Sequence, residues 1–218
     1  MSSKLDDLIE KAASELARDV KPVKRLPSPW LSALGIAGLA LIVAFSILAM
    51  LSGVRGDVSA IFSERSYVLN DLGLVVIVLL SSLSIARARV PGANAKIDVA
   101  LAVFLGVFTI GLFALGQRVG SDGPLGTIAT GYHCSEHVAA LALPLIGFGA
   151  WFLLRGAPVS PWRAAIGISG FAVACGALVL PLACRYGDPM HLMLSHLWVP
   201  LVPILIVSIL AGRRLLRW

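Results

Sequence analysis

The chain has 218 residues, 58% of them hydrophobic and 14% charged, with a net charge of +6 and a mean hydropathy of +0.89. That apolar content exceeds what a water-soluble core of this length can hide, which excludes an ordinary soluble domain and places the chain among membrane proteins. The positive balance needs no nucleic acid to explain it, because basic residues beside a bilayer are ordinary, and no direct nucleic-acid binding is expected.

Residues 1–29 are polar and highly charged, so no cleavable signal peptide is expected ahead of the first apolar block. From Lys4 to Val20, Leu5, Leu8, Ile9, Ala12, Ala13, Leu16 and Val20 recur at helical spacing, with acids mostly on the other faces. This predicts one amphipathic helix, capped by Ser2 or Ser3 and stopped by Pro22, Pro27 and Pro29. An isolated helix of that length is marginal in water, so its apolar stripe needs a surface. Helices that lie on lipid headgroups usually carry a basic polar face, whereas this one is acidic up to Lys21. Docking into a protein groove through Leu5, Leu8, Ile9 and Leu16 fits better. Lipid or self-packing and disorder stand as the competing readings.

The remaining residues, 30–218, form six apolar blocks at about 30–51, 67–86, 99–116, 137–154, 164–183 and 191–211. Each matches a hydrocarbon core about 30 Å thick at about 1.5 Å rise per residue. Backbone groups in lipid must bond internally, so the expected fold class is all-α, a polytopic bundle of six transmembrane helices. Segments rich in charge, Gly and Pro at 87–92, 155–158 and 184–189 read as hairpin turns. With the amino terminus inside, 14 of the 18 Lys and Arg residues fall on the inner side, leaving Arg55, Arg65, Arg118 and Arg185 outside. This bias predicts cytoplasmic termini at both ends.

Chemistry concentrates at the predicted outer face. Cys134 lies just before the fourth block and Cys184 just after the fifth, while Cys175 sits deeper and reads as a small packing residue. His133, Glu136 and His137 flank the first cysteine; Asp188, His191 and His196 follow the second. Thiolate and imidazole are donors for zinc and other soft or borderline metals, so His133, Cys134, His137, Cys184 and His191 form a candidate ligand set for a transient metal ion. A disulfide, an oxidant-sensitive thiol, or two separate inert cysteines are the alternatives. His191 and His196 also read as interhelical hydrogen-bonding residues. A bis-histidine haem site is a weaker reading, since no CxxCH occurs.

The ionisable residues Asp71, Asp98 and Glu136 all lie near span ends, and the charge-free centres argue against an ion pump. P-loop, GxSxG, HExxH and dinucleotide fingerprints are absent, so the chain is not expected to be an enzyme. A membrane thiol-redox or metal-handling protein using the Cys/His cluster is the alternative function.

The pattern Asp6-Asp7-Leu8-Ile9 through Leu16-Ala17, then Val20 to Trp30, resembles the start of the NrsF family. So do the six blocks, the cysteine before block four, the run Cys184 to His196 and the ending Gly212 to Trp218. The resemblance covers essentially the whole chain. It implies an anti-sigma factor of the bacterial inner membrane that holds an extracytoplasmic-function sigma factor until a stress signal arrives. It further implies that the amino-terminal helix binds the sigma factor and that Cys134 and Cys184 are the sensing pair. In that role Leu5, Leu8, Ile9 and Leu16 would pack on the partner, with Asp6, Asp7 and Asp19 facing its basic DNA-binding surface.

Overall fold

The computed structural model describes residues 10–11, 28–88, 96–119, 123–154 and 160–215. The side chains expected to bind a partner, Leu5, Asp6, Asp7, Leu8, Ile9, Leu16 and Asp19, lie outside the described residues, as do the turn at 155–158 and most of that at 87–92.

Among the described residues all regular structure is helical, and six helices are long and apolar enough to cross a membrane. Helix α1 is Pro29–Leu51; the Ser28 hydroxyl accepts the Leu31 N–H at 3.2 Å, and Pro29 costs nothing at a position whose N–H has no helical partner. A short helix α2, Ser59–Ser63, leads into α3, Arg65–Ala88. Helices α4 (Lys96–Val119), α5 (Gly123–Leu154) and α6 (Pro161–Val179) follow, the last ending in a 3-10 turn, Leu180–Leu182. Residues 184–188 form the irregular link expected there. The sixth span then has three parts: α7, Pro189–His191; a π-helical stretch, Leu192–Trp198; and α8, Val199–Leu215.

Helix α6 is the hub, packing on α1, α3, α5 and α8. Its sequence is dominated by small residues, including Ala164, Gly167, Gly170, Ala172, Ala174, Gly176 and Ala177, which let neighbouring backbones approach closely. A Cβ on Gly176 would stand 3.2 Å from the Val138 carbonyl oxygen of α5, and one on Gly170 would stand 3.2 Å from the Ser81 hydroxyl of α3. Between lipids, where apolar side chains gain little by leaving the acyl chains, this contact supplies the cohesion. The opposite surfaces suit lipid: Leu31, Ile42, Val103, Ile110, Leu143, Ile206 and Leu210 all point outward.

One boundary differs from the sequence expectation. Helix α5 begins at Gly123, well before the apolar block at 137, so His133, Cys134 and Glu136 are helical instead of preceding the span. The polar residues there are accommodated by pairing. Ser135 donates to the Ser195 carbonyl at 2.8 Å, and His133 meets the Glu136 carboxylate at 3.1 Å.

The two ends of the bundle are clasped differently. At the end that carries the α1–α3 connection, Arg55 N–H bonds the Leu182 carbonyl at 2.8 Å. At the other, Asp98 of α4 accepts Arg163 Nε of α6 at 2.6 Å and also the Ser84 hydroxyl of α3.

Candidate functional site

Cys134 and Cys184, fifty residues apart in sequence, lie with their sulfur atoms 3.3 Å apart, both as free thiols. Helix α5 supplies the first and the link after α6 the second. Cys184 Sγ also lies 3.6 Å from His191 Nε2, and the His191 and His196 rings stand edge to face with centroids 5.2 Å apart. One donor atom from each of Cys134, Cys184, His191 and His196 falls within 4.8 Å of all the others. Cys184, His191 and His196 are buried and Cys134 is half-buried.

The pairing of the two imidazoles comes from the π-helical stretch. In an α-helix, residues five apart are turned about 140° from each other. Bonding from residue i to i+5, as in the Val199 N–H to Leu194 carbonyl bond, widens the turn and brings His191 and His196 to one side. The cause lies four residues beyond His196. Pro200 has no N–H for the His196 carbonyl, and its ring would press on that carbonyl in a regular α-helix. The Ser135 hydroxyl caps the Ser195 carbonyl at 2.8 Å, occupying a group that the irregular bonding would otherwise leave bare.

Glycine at 131 makes the approach of α5 to this stretch feasible. A Cβ there would lie 2.6 Å from Ser195 Cβ and 2.9 Å from His191 Cε1, so any side chain would push the two helices apart.

The link bearing Cys184 is held from below by the α1–α3 connection. Arg55 Nη1 donates to the Cys184 carbonyl at 3.0 Å, and the Tyr67 hydroxyl donates to the same oxygen at 3.3 Å. Asp57 grips the guanidinium through two bonds of 2.7 Å. This fork raises the Arg55 pKa further above its ordinary value and draws the exposed Asp57 carboxyl down to about 2. On the other side of the link, Asp188 Oδ2 accepts the His191 N–H at 2.9 Å and starts the last span. The Cys184 thiol is held well below the ordinary thiol range, first by hydrogen bonding from Cys134 and then, against the opposing effect of burial, by hydrogen bonding from His191.

The residues singled out in the sequence separate into two groups. Cys134, Cys184 and His191 converge. His133 and His137 are not among the four gathered donors: His133 is paired with Glu136, and His137 Nδ1 donates to the His133 carbonyl at 2.7 Å. His196, named in the sequence beside the cluster but left out of its ligand set, takes a place in it. The supports Arg55, Tyr67 and Gly131 gave no sequence signal by themselves; the signal for the histidine pair was the spacing of Pro200 from His196. Cys175 lies fully buried in the apolar core.

Chemically, two thiols in contact beside two imidazoles have three options. They can form a disulfide, hold a thiolate, or ligate a cation. Residues 16–218 match the family model NrsF, described as negative regulator of sigma F. No curated protein and no solved structure matches the chain.

Proposed function

We propose a mechanism that starts from this premise: the chain belongs to the NrsF family and is a negative regulator of a sigma factor. In this reading it sits in the bacterial inner membrane with both termini cytoplasmic and sequesters a sigma factor of the extracytoplasmic-function type through its amino-terminal segment. The Cys134–Cys184 pair then faces the oxidising side, where thiol chemistry can report a stress. A change of state at the pair shifts the packing of α5, α6 and the sixth span, and the altered bundle releases the sigma factor.

The observation that carries the sensor assignment is the 3.3 Å contact between two cysteines from different spans, backed by residues that fix Cys184 through its backbone. A purely structural staple would not need buried histidines at its side. The charge-free span centres and the lipid-facing apolar surfaces favour a scaffold over a conduit. The test is a sigma-dependent reporter in cells carrying Cys134→Ser or Cys184→Ser. Altered basal or induced output supports the assignment; unchanged output in both variants removes it.

A second reading, a membrane thiol-redox or metal-handling protein, draws on the same cluster. It predicts turnover of a thiol substrate or movement of metal by the purified chain in vesicles, with no requirement for residues 1–20.

A further inference from the structure

The buried histidine at 196 has no assigned work in the regulatory reading. It is fully buried, and neither ring nitrogen has a hydrogen-bond partner among the described residues. Buried polar groups are satisfied almost without exception, so such a pair of orphaned nitrogens points to a missing partner. The atoms that surround it are the donors of Cys134, Cys184 and His191, all within 4.8 Å.

We infer that Cys134, Cys184, His191 and His196 form a closed four-coordinate site for a zinc ion. Tetrahedral zinc binds sulfur at about 2.3 Å and imidazole nitrogen at about 2.0–2.1 Å, so its donor atoms stand roughly 3.3–3.8 Å apart. The sulfur–nitrogen separation of 3.6 Å already fits, and the two sulfur atoms, now 3.3 Å apart, would part by about 0.5 Å to the roughly 3.8 Å that two zinc–sulfur bonds require. Two sulfur and two nitrogen donors gathered within 4.8 Å of one another are a set that suits zinc.

Charge separates zinc from monovalent copper. A divalent ion with two thiolates and two neutral imidazoles is electroneutral, the one state that can be buried at the edge of a bilayer without a counter-charge. Monovalent copper would leave the site with a net negative charge. Arg55, the cation nearest to hand in the hydrogen-bond network of Cys184, is spent on the Cys184 carbonyl and Asp57.

The surroundings supply what a structural zinc site needs. Ligands come from α5, from the link after α6 and from two positions on the sixth span, so one ion ties three spans together. The π-helical stretch that aligns the histidines has its freed carbonyl capped by Ser135, and bare Gly131 lets α5 close on it. Four protein ligands leave no open position for a reacting water, which makes the ion structural, not catalytic. Read together with the proposed function, on which this last step rests, the zinc-bound state is the resting one, and chemistry that takes the thiolates away from the metal is the signal.

The test measures metal and regulation separately. The full chain, purified in detergent after growth with zinc, is analysed for metal content, then stripped and titrated with Co2+ as a spectroscopic probe. The expected result is one zinc per chain and intense visible bands of tetrahedral cobalt with sulfur-to-cobalt charge transfer. Cys134→Ser and His196→Gln should lower zinc occupancy at least tenfold in material that keeps its helical circular dichroism. His133→Ala and His137→Ala should keep full occupancy. Because a His196 variant can fail to fold, zinc protection of the two thiols from alkylation in the unmodified chain provides a second readout. Substoichiometric metal in the unmodified chain, copper in place of zinc, or cobalt bands untouched by His196→Gln each overturn the site. Sigma-factor retention in a pull-down is scored on the same samples, so loss of the regulatory reading leaves the metal result standing, and the reverse.

Discussion

The Arg55 guanidinium donates to the backbone carbonyl of Cys184 at 3.0 Å, across 129 residues of chain. The connection between the first and third helices thus holds the thiol-bearing link after the fifth span in register without touching its sulfur. Arg55→Ala removes that bond and the paired Asp57 contact while leaving every donor atom of the cluster in place. The expected outcome is faster alkylation of Cys134 and Cys184 by a membrane-impermeant maleimide, by several-fold, with sigma-dependent reporter output raised in unstressed cells. Equal labelling rates in the two proteins would separate the loop from the site.

The same fork has a pH signature. Asp57 is drawn from 3.8 to about 2 by Arg55, so the folded state binds its proton more weakly than the unfolded chain. The resulting contribution is complete above about pH 4 and is lost as pH falls through about 2. A carboxyl titration of Asp57 by NMR should show a midpoint near 2, moving up toward 3.8 in Arg55→Gln.

Gly131→Ala should be disproportionately harmful. The added methyl would lie 2.6 Å from Ser195 Cβ and 2.9 Å from His191 Cε1, so either α5 or the sixth span must retreat. Overpacking of this kind costs about 1–3 kcal/mol. Oxidative crosslinking of Cys134 to Cys184 should fall in yield along with stability. Gly35→Ala and Gly147→Ala, where nothing lies within 4 Å of the new methyl, should leave both within error of the parent protein.

At the opposite end, Asp98 accepts Arg163 and Ser84 together and so binds α3, α4 and α6. Asp98→Asn should destabilise by about 1–3 kcal/mol, the usual cost of losing a charge-assisted hydrogen bond at a partly buried site. A double-mutant cycle with Arg163→Gln, followed by thermal unfolding in detergent, should return a coupling energy of similar size; purely additive effects would mean that the pair contributes nothing as a pair.

Deleting residues 1–20 should abolish capture of the sigma factor while membrane insertion and the Cys134–Cys184 contact persist. Copurification with co-expressed sigma factor measures the first; fractionation and crosslinking measure the others. Retained capture would move the binding surface to the inner loops or the carboxy terminus.

Much of this was legible in the sequence, and the misses have identifiable causes. Six spans follow from block length alone, because lipid leaves a backbone so few options. The start of α5 was hidden because His133, Ser135 and Glu136 lower the local hydropathy, although their polar groups are paired within the fold. Cys134 and Cys184 could be placed at the same end of the bundle by counting; that they touch depends on Gly131 and on the Arg55 latch, both three-dimensional facts. His196 stood beside the cluster but outside the ligand set read from the sequence, and on an α-helix it would be turned about 140° from His191. Only the proline four residues later betrays the wider turn.

The third thiol now has a practical use. Cys175 is sealed in the apolar core while the other two meet at one end, so the chain carries its own built-in reference for thiol counting. Native protein should expose no more than two reactive sulfhydryls, and a third should appear only on unfolding. The ratio between those counts separates a changed sensor from a collapsed bundle in every variant described above.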